Sequence, residues 1–417
     1  MTAPRRDRVS FDIDERTIPG YLLSTANDSM PRLPKNVVTL GVASLLNDVS
    51  SEMIFPLLPV FLTAVLGAGP LYLGFVEGAA DSMSALLRLP FGWLADRVSR
   101  KPLVVAGYAI ANVVRPAIAV AAAPWHVLAV RLLDRAGKGI RTAPRDALLA
   151  DSAAPGERGR AFGFHMSMDH VGAVLGPLLA SALFLALGRN YRWLFLAASL
   201  PGLVTVVFVA ARVDETRQRR APADSTVVYD VSGLGARFWG LLAAVFLFGL
   251  GASTDAFLLL ELEKSGTDVA LLPFLWAALH VVKVASVYPF GRLSDRVGRV
   301  PLIVVGWAYY AAIYAGFAVV DDPRGLALVF LAYGLFFGLT EGAERALVSD
   351  LVPAEKRGAA FGFYNAALGV TALPASALLG GIWEAWGKIA AFGFGAAMAA
   401  AASAVLVATT LRSRARK

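Results

Sequence analysis

GWLADRVSRKP runs from Gly92 to Pro102, and GRLSDRVGRVP runs from Gly291 to Pro301, 199 residues further on. Each is a short charged stretch pinched between apolar runs long enough to cross a bilayer. The same interval carries Asp151 onto Asp350, and GRAFGF (Gly159–Phe164) onto GAAFGF (Gly358–Phe363). Three matches at one interval mark a duplicated unit. An interval this long means two homologous halves rather than a solenoid of small repeats.

The 417-residue chain is 57% hydrophobic and 17% charged, with mean hydropathy +0.60. Soluble domains are usually about 45–50% apolar, so this composition calls for a lipid bilayer as partner. Cysteine is absent, which removes disulfides and thiolate metal sites, and no metal or cofactor is expected. The net charge of +8 sits in short loops between apolar spans and forms no continuous basic face. That distribution excludes nucleic acid as a partner and fits a positive-inside bias. The start of the chain mixes Arg5, Arg6, Arg8 and Arg16 with Asp7, Asp12, Asp14 and Glu15 and has no apolar core, so it is not a signal peptide.

Apolar runs predict six spans near 37–64, 71–94, 102–122, 125–148, 160–187 and 191–211. Six more fall near 238–262, 269–292, 301–319, 325–349, 359–383 and 389–411. The expected organisation is a tail at 1–36, a bundle at 37–211, a linker at 212–237, a second bundle at 238–411 and a tail at 412–417. Basic residues concentrate in the tails, the linker and the loops near 95–101, 150–159, 293–300 and 350–358. This places both termini in the cytosol and the protein in the cytoplasmic membrane.

The repeated G-x-L-A/S-D-R-x-S/G-R loop resembles the signature of the major facilitator superfamily. The plan of twelve spans with a long central linker is similar to that family over essentially the whole chain. The resemblance implies an all-α membrane protein of twelve transmembrane helices in two pseudo-symmetric six-helix bundles, most similar to drug/proton antiporters. It also implies a latch or gate at Gly92, Asp96, Arg97, Arg100 and Asp151, and at Gly291, Asp295, Arg296, Arg299 and Asp350. Ser99 and Val300 depart from the pattern. In the fifth span Gly172, Gly176 and Pro177 resemble the antiporter-linked G-x-x-x-G-P core, with Ala180-Ser181 where a glycine pair is usual. Packing alone also accounts for these glycines. Arg131-Leu-Leu-Asp134-Arg135 partly matches a further family signature whose arginine is implicated in proton coupling.

Ionisable groups inside a membrane are costly and mark function by default. Asp48 and Glu52 lie four residues apart on the first span, and Glu77, Asp81, Ser84 and Arg88 form one stripe on the second. Asp48, Glu52, Glu77 and Asp81 are the candidate proton carriers, since close carboxylates suit reversible protonation. The bland alternative for Asp48 and Glu52 is permanent neutralisation by Arg131 or Arg135. Solute-binding candidates are Arg115, Arg131, Asp134, Arg135 and Lys138 in the first half. In the second half they are Asp255, Trp276, His280, Tyr333, Phe337 and Glu341. The repeat interval matches Arg131, Asp134, Arg135 and Lys138 to Phe330, Tyr333, Gly334 and Phe337, so one wall is ionic and the other aromatic. Arg145-Asp146 and Glu344-Arg345 carry reversed charges and are expected to pair across the gate, with local helix pairs as the rival reading.

No H-E-x-x-H, G-x-S-x-G or phosphate-binding loop is present, which argues against an enzyme or an ATP-driven pump. The expected function is alternating-access transport by a monomer, with proton-coupled export of an amphipathic organic solute. Transport of an organic anion is the competing expectation, and a non-transporting receptor or assembly factor is the third.

Overall fold

The computed structural model describes residues 33–154, 157–215, 234–353 and 356–414. Most of the expected N-terminal tail and linker, at 1–32 and 216–233, lies outside the described residues. The first half contributes α1 (Lys35–Val65), α2 (Pro70–Ala95), α3 (Arg100–Val120), α4 (Pro124–Ser152), α5 (Arg158–Ala186) and α6 (Tyr191–Arg212). The second contributes α7 (Gly235–Lys264), α8 (Val269–Val297), α9 (Arg299–Val319) and α10 (Pro323–Leu351). The stretch Arg357–Arg414 is divided at Gly387, with φ 82°, into α11 and α12. Only a residue without a Cβ takes that turn cheaply.

Local chemistry sets the helix starts. Proline opens α2, α4 and α10, where its missing N–H costs nothing. The side chain of Asn190 accepts from the backbone N–H groups of Arg192 and Trp193 at the start of α6, and Asp322 accepts from Gly325 at the start of α10. Among the described residues, nine helical stretches are long and apolar enough to cross a bilayer, and one of them, Ala359–Leu411, holds both α11 and α12. Helices α2 and α4 miss that measure, and they carry the charged stripes.

The sequence predicts one continuous span near 238–262, but α7 unwinds at 252–255. Freed backbone groups inside a membrane need internal partners. Here Ser376 Oγ accepts from the Thr254 N–H at 3.3 Å, and Tyr310 donates to the Gly251 carbonyl at 3.4 Å. The break sets Asp255 at the head of the following helical segment.

Within the halves, α1 packs on α5 and α6, α2 and α3 on α4, and α8 and α9 on α10. Between the halves, α5 meets α8 and α2 meets α11. The α2–α11 seam is nearly backbone to backbone. A Cβ on Gly78 would lie 2.9 Å from the Ala372 carbonyl oxygen, and one on Gly74 or Gly380 would strike the Ser376 or Pro70 carbonyl. Ser82 Oγ spans this seam, donating to the Gly369 carbonyl at 2.9 Å and accepting from the Leu373 N–H at 3.2 Å. A regular α-helix would pair those two backbone groups with each other.

The two interiors differ in kind. The second half is filled by aromatic rings, with Trp307, Tyr310, Tyr314, Phe317, Phe330 and Phe392 fully buried. In the first half, buried Glu77, Arg115, Arg131 and Asp134 sit among apolar residues. At the end remote from the basic loops the halves are tied together. Arg189 clasps Asp268 through two bonds of 2.9 and 2.8 Å, Ser181 Oγ donates to the Ala270 carbonyl, and the Leu71 N–H donates to Glu384 at 3.2 Å. Toward the basic end the α2–α11 seam opens into a cleft of about 400 Å³.

Candidate functional site

The charged stripes of α2 and α4 zip together. Arg131 grips both carboxylate oxygens of Glu77, and Arg135 lies 3.4 Å from Asp81. Two carboxylates four residues apart on one helix meet two arginines four residues apart on the other, because both pairs repeat about once per turn. Arg115 of α3 donates to Asp134 at 2.8 Å, and also to Asn112 and to the Asn47 carbonyl. Lone buried charges would be very costly, whereas pairs with their hydrogen bonds satisfied are tolerated. Glu77 and Asp81, expected as proton carriers, thus each lie against an arginine, and Arg115, Arg131, Asp134 and Arg135, expected to bind solute, lie against one another and against Glu77 and Asp81.

The arginines taken up in this way leave Asp48 and Glu52 alone, contrary to the neutralisation alternative. Asp48 accepts from Asn47 Nδ2 at 3.0 Å, and Glu52 accepts from Trp276 Nε1 at 2.8 Å. The second bond crosses from α1 of one half to α8 of the other at mid-depth. The Trp276 ring also packs on Phe55 at 4.9 Å and on His280 at 5.0 Å, and Phe55 lies 5.8 Å from the Arg131 guanidinium. Both His280 ring nitrogens are buried without a partner. Asp255, at the break in α7, accepts from Tyr333 at 2.9 Å. Lys283 lies 4.0 Å over the Phe337 ring, while Glu341 pairs with Arg345 at 3.4 Å.

A fourth carboxylate carries no expectation as a titrating group. Glu344 on α10 is buried and accepts from Trp307 Nε1 at 2.9 Å and from Tyr364 at 2.7 Å. Among the described residues, Asp48, Glu52, Asp255 and Glu344 form no ion pair, and the hydrogen bonds they accept come from neutral donors. The aromatic enrichment around α10 was the available signal for Glu344, because a carboxylate inside an aromatic half finds only N–H and O–H groups.

Gly172 and Gly176 bring α5 against α1 at the two carboxylates. A Cβ on Gly172 would meet Asp48 Cβ at 2.9 Å, and one on Gly176 would meet the Val49 carbonyl oxygen at 2.8 Å and Glu52 Cβ at 3.0 Å. Pro177 follows inside the same helix. The motif therefore sets the closeness of α5 to the carboxylate pair.

Among the described residues, the ion pairs of the repeated loops lie within their own halves. Arg100 pairs with Asp151 and lies 3.9 Å from Asp96; Arg299 reaches Asp295 at 2.5 Å and Asp350 at 3.5 Å. Arg97 stacks on Trp93 at 3.8 Å, and Arg296 is exposed in the last turn of α8. A Cβ on Gly92 would meet Ala143 at 3.4 Å, whereas one on Gly291 would meet open space. The expected charge pairing across the gate is absent: Arg145 binds its neighbour Asp146 at 2.9 Å, Arg345 binds Glu341, and Glu344 is taken by Trp307 and Tyr364. The first-half loop has an unforeseen partner. Glu215 accepts from the Arg100 and Lys101 N–H groups at 3.3 and 3.0 Å, capping α3. Beside it, Asp214 binds Lys35 at 2.8 Å, which holds its carboxyl below the usual carboxylate range.

Comparison with known proteins agrees with this architecture. The chain is 31% identical over 376 residues to an uncharacterized MFS-type transporter of Methanocaldococcus jannaschii, covering 87% of this chain and 92% of that one. It is 26% identical to a multi-drug resistance efflux pump PmrA homolog of Lactococcus lactis, covering 73% and 78% respectively. The crystal structure of the nucleoside transporter NupG superposes with a TM-score of 0.74 at 14% identity, over 90% of this chain and 99% of that one. The family model for the Major Facilitator Superfamily matches residues 40–375 and 241–417, and the chain belongs to that superfamily.

Proposed function

We propose that this secondary transporter exports an amphipathic organic solute in exchange for protons. In this reading two bundles, 37–211 and 238–411, rock about the central carboxylates in a monomer. The observation that carries it is the set of membrane-embedded carboxylates that accept hydrogen bonds from neutral donors and form no ion pair among the described residues, Asp48, Glu52 and Asp255. Each can change protonation without breaking an ion pair, whereas protonating Glu77 or Asp134 would strip a buried arginine of its partner, at roughly 3–5 kcal/mol. The aromatic wall around Trp276, Phe330, Tyr333 and Phe337 suits the apolar part of such a solute. The direction of transport is supported by the Gly172–Pro177 motif and by the efflux-pump relatives. The bias of basic loops supports a cytoplasmic-membrane location with cytosolic termini, which makes the cleft cytosolic.

Proteoliposomes with a pH dye trapped inside provide the test. Addition of a transported solute is expected to cause proton flux, and Glu52→Gln, Asp48→Asn and Asp255→Asn should each reduce it severalfold. Solute flux of normal size and normal pH dependence in all three variants refutes the coupling role.

A further inference from the structure

The cleft between α2 and α11 falls within the roughly 300–1,000 Å³ range of small-molecule sites, at about 400 Å³, and both halves line it. Its first-half wall presents Ser84 and Arg88, one turn apart on α2, and Lys138 on α4. Gly139 allows this grouping: a Cβ there would sit 2.8 Å from the Ser84 carbonyl oxygen, so α4 lies directly on α2 where Lys138 emerges. Ser84 is 5% exposed, and its hydroxyl has no partner, an exception that calls for an explanation. Among the described residues neither Arg88 nor Lys138 forms an ion pair, while Arg131, Arg135 and Arg145 each have a carboxylate. Asp81 also lines the cleft, with Arg135 on its carboxylate. The opposite wall, on α11, is built from small residues such as Ala366 and Gly369 around Asn365, whose amide nitrogen donates to the Phe361 carbonyl at 2.8 Å.

We propose that Ser84, Arg88 and Lys138 form a subsite for a single anionic head group, a carboxylate or sulfonate, on the amphipathic solute. This rests on the transport reading above and names the chemistry of its substrate. A guanidinium fork, an ammonium and a hydroxyl together offer the directed donors that a carboxylate or sulfonate needs. The small-residue wall of α11 leaves room for the apolar body. Because one wall belongs to each half, rocking the halves changes the width of the site around the solute, while the three donors stay together on the first half.

The chain has no cysteine, so Ala366→Cys places one thiol in the cleft. Methanethiosulfonates bearing a sulfonate or a trimethylammonium group then report the local potential. Their rate ratio at this thiol, sulfonate over trimethylammonium, is expected to exceed the ratio for free thiol by about tenfold or more. Adding Arg88→Gln and Lys138→Gln should return it to within about twofold of free thiol, while Arg88→Lys with Lys138→Arg should preserve it. Benzoate should slow the labelling, and phenyltrimethylammonium at the same concentration should not. A ratio at or below that of free thiol, or equal protection by the two aromatic ions, overturns the subsite. These readouts need no gradient. Loss of proton-driven flux with the ratio intact refutes the coupling reading alone, and an absent ratio with flux intact refutes the subsite alone.

Discussion

Replacing Trp276 with Phe keeps a ring against Phe55 and Phe330 but deletes the N–H that reaches Glu52 across the halves. A hydrogen bond to a charged group contributes roughly 1.5–3 kcal/mol. Glu52 is half-buried, so water recovers part of that, leaving about 1–2 kcal/mol that favours the arrangement closed at the end remote from the basic loops. That difference corresponds to a roughly 5- to 30-fold rise in the population open at that end. Val120 and Val319 end α3 and α9, one in each half, and are 75% and 71% exposed. With both changed to Cys in this cysteine-free chain, spin-label distances measure the opening directly. Trp276→Phe should enlarge the long-distance population. Glu52→Gln, which keeps a neutral acceptor, should enlarge it by less, and the double variant should fall short of the sum. Unchanged distances in Trp276→Phe, or strict additivity with Glu52→Gln, would refute the claim that this bond joins the halves.

The same spin-label pair reads the Arg189–Asp268 tie. The Arg189 side chain, and after it the Ala270 N–H, hold the Asp268 carboxyl below its ordinary value. A depressed carboxylate stabilises above its unfolded value of about 3.9 and loses that contribution as pH falls through the lower folded value. Asp268→Asn should therefore differ from the parent between pH 5 and 8 with little pH dependence, and the difference should fade below about pH 4. High salt should mimic the substitution in part, since the pair is exposed. Gly176→Val would drive carbons into the Val49 carbonyl and Glu52, costing about 1–3 kcal/mol of overpacking. It should lower the thermal midpoint in mild detergent, and an unchanged midpoint would show that α5 can move away from α1 freely. Glu344→Leu would orphan the buried Trp307 and Tyr364 donors at about 1–3 kcal/mol, so it should lower the midpoint well below that of Glu344→Gln, and equal midpoints would refute this.

Much of the architecture was legible because its signals are local. The 199-residue repeat, the apolar run lengths and the initial prolines are properties of short segments, and they mark the helices and the two halves. The site was legible as a set of residues and opaque as a set of pairings. Glu77 and Asp81 can be placed on one face by spacing, and so can Arg131 and Arg135. Which stripe faces which depends on the register between helices, and no single segment encodes that register. The same gap made Asp48 and Glu52 ambiguous, since their freedom follows from where the arginines went. The break at Asp255 depends on distant Ser376 and Tyr310 to satisfy the opened backbone. The Trp276–Glu52 bond joins residues 224 positions apart, and periodicity has no bearing on such a distance.

Ser82 makes parting the halves inexpensive. Pulling two helices apart in lipid usually strands polar groups, each at a cost of several kcal/mol. The hydroxyl of Ser82 instead occupies a place that α11 can fill by itself: once α2 withdraws, the Leu373 N–H and the Gly369 carbonyl are each other's natural partners. Ser82 in turn can fold back onto the carbonyl of Gly78 four residues earlier. Each of these three groups has a partner when docked and a local partner within reach when undocked. The junction thus works as a detachable coupling, one that can be made and broken once per transport cycle without exposing an unpaired backbone group to lipid.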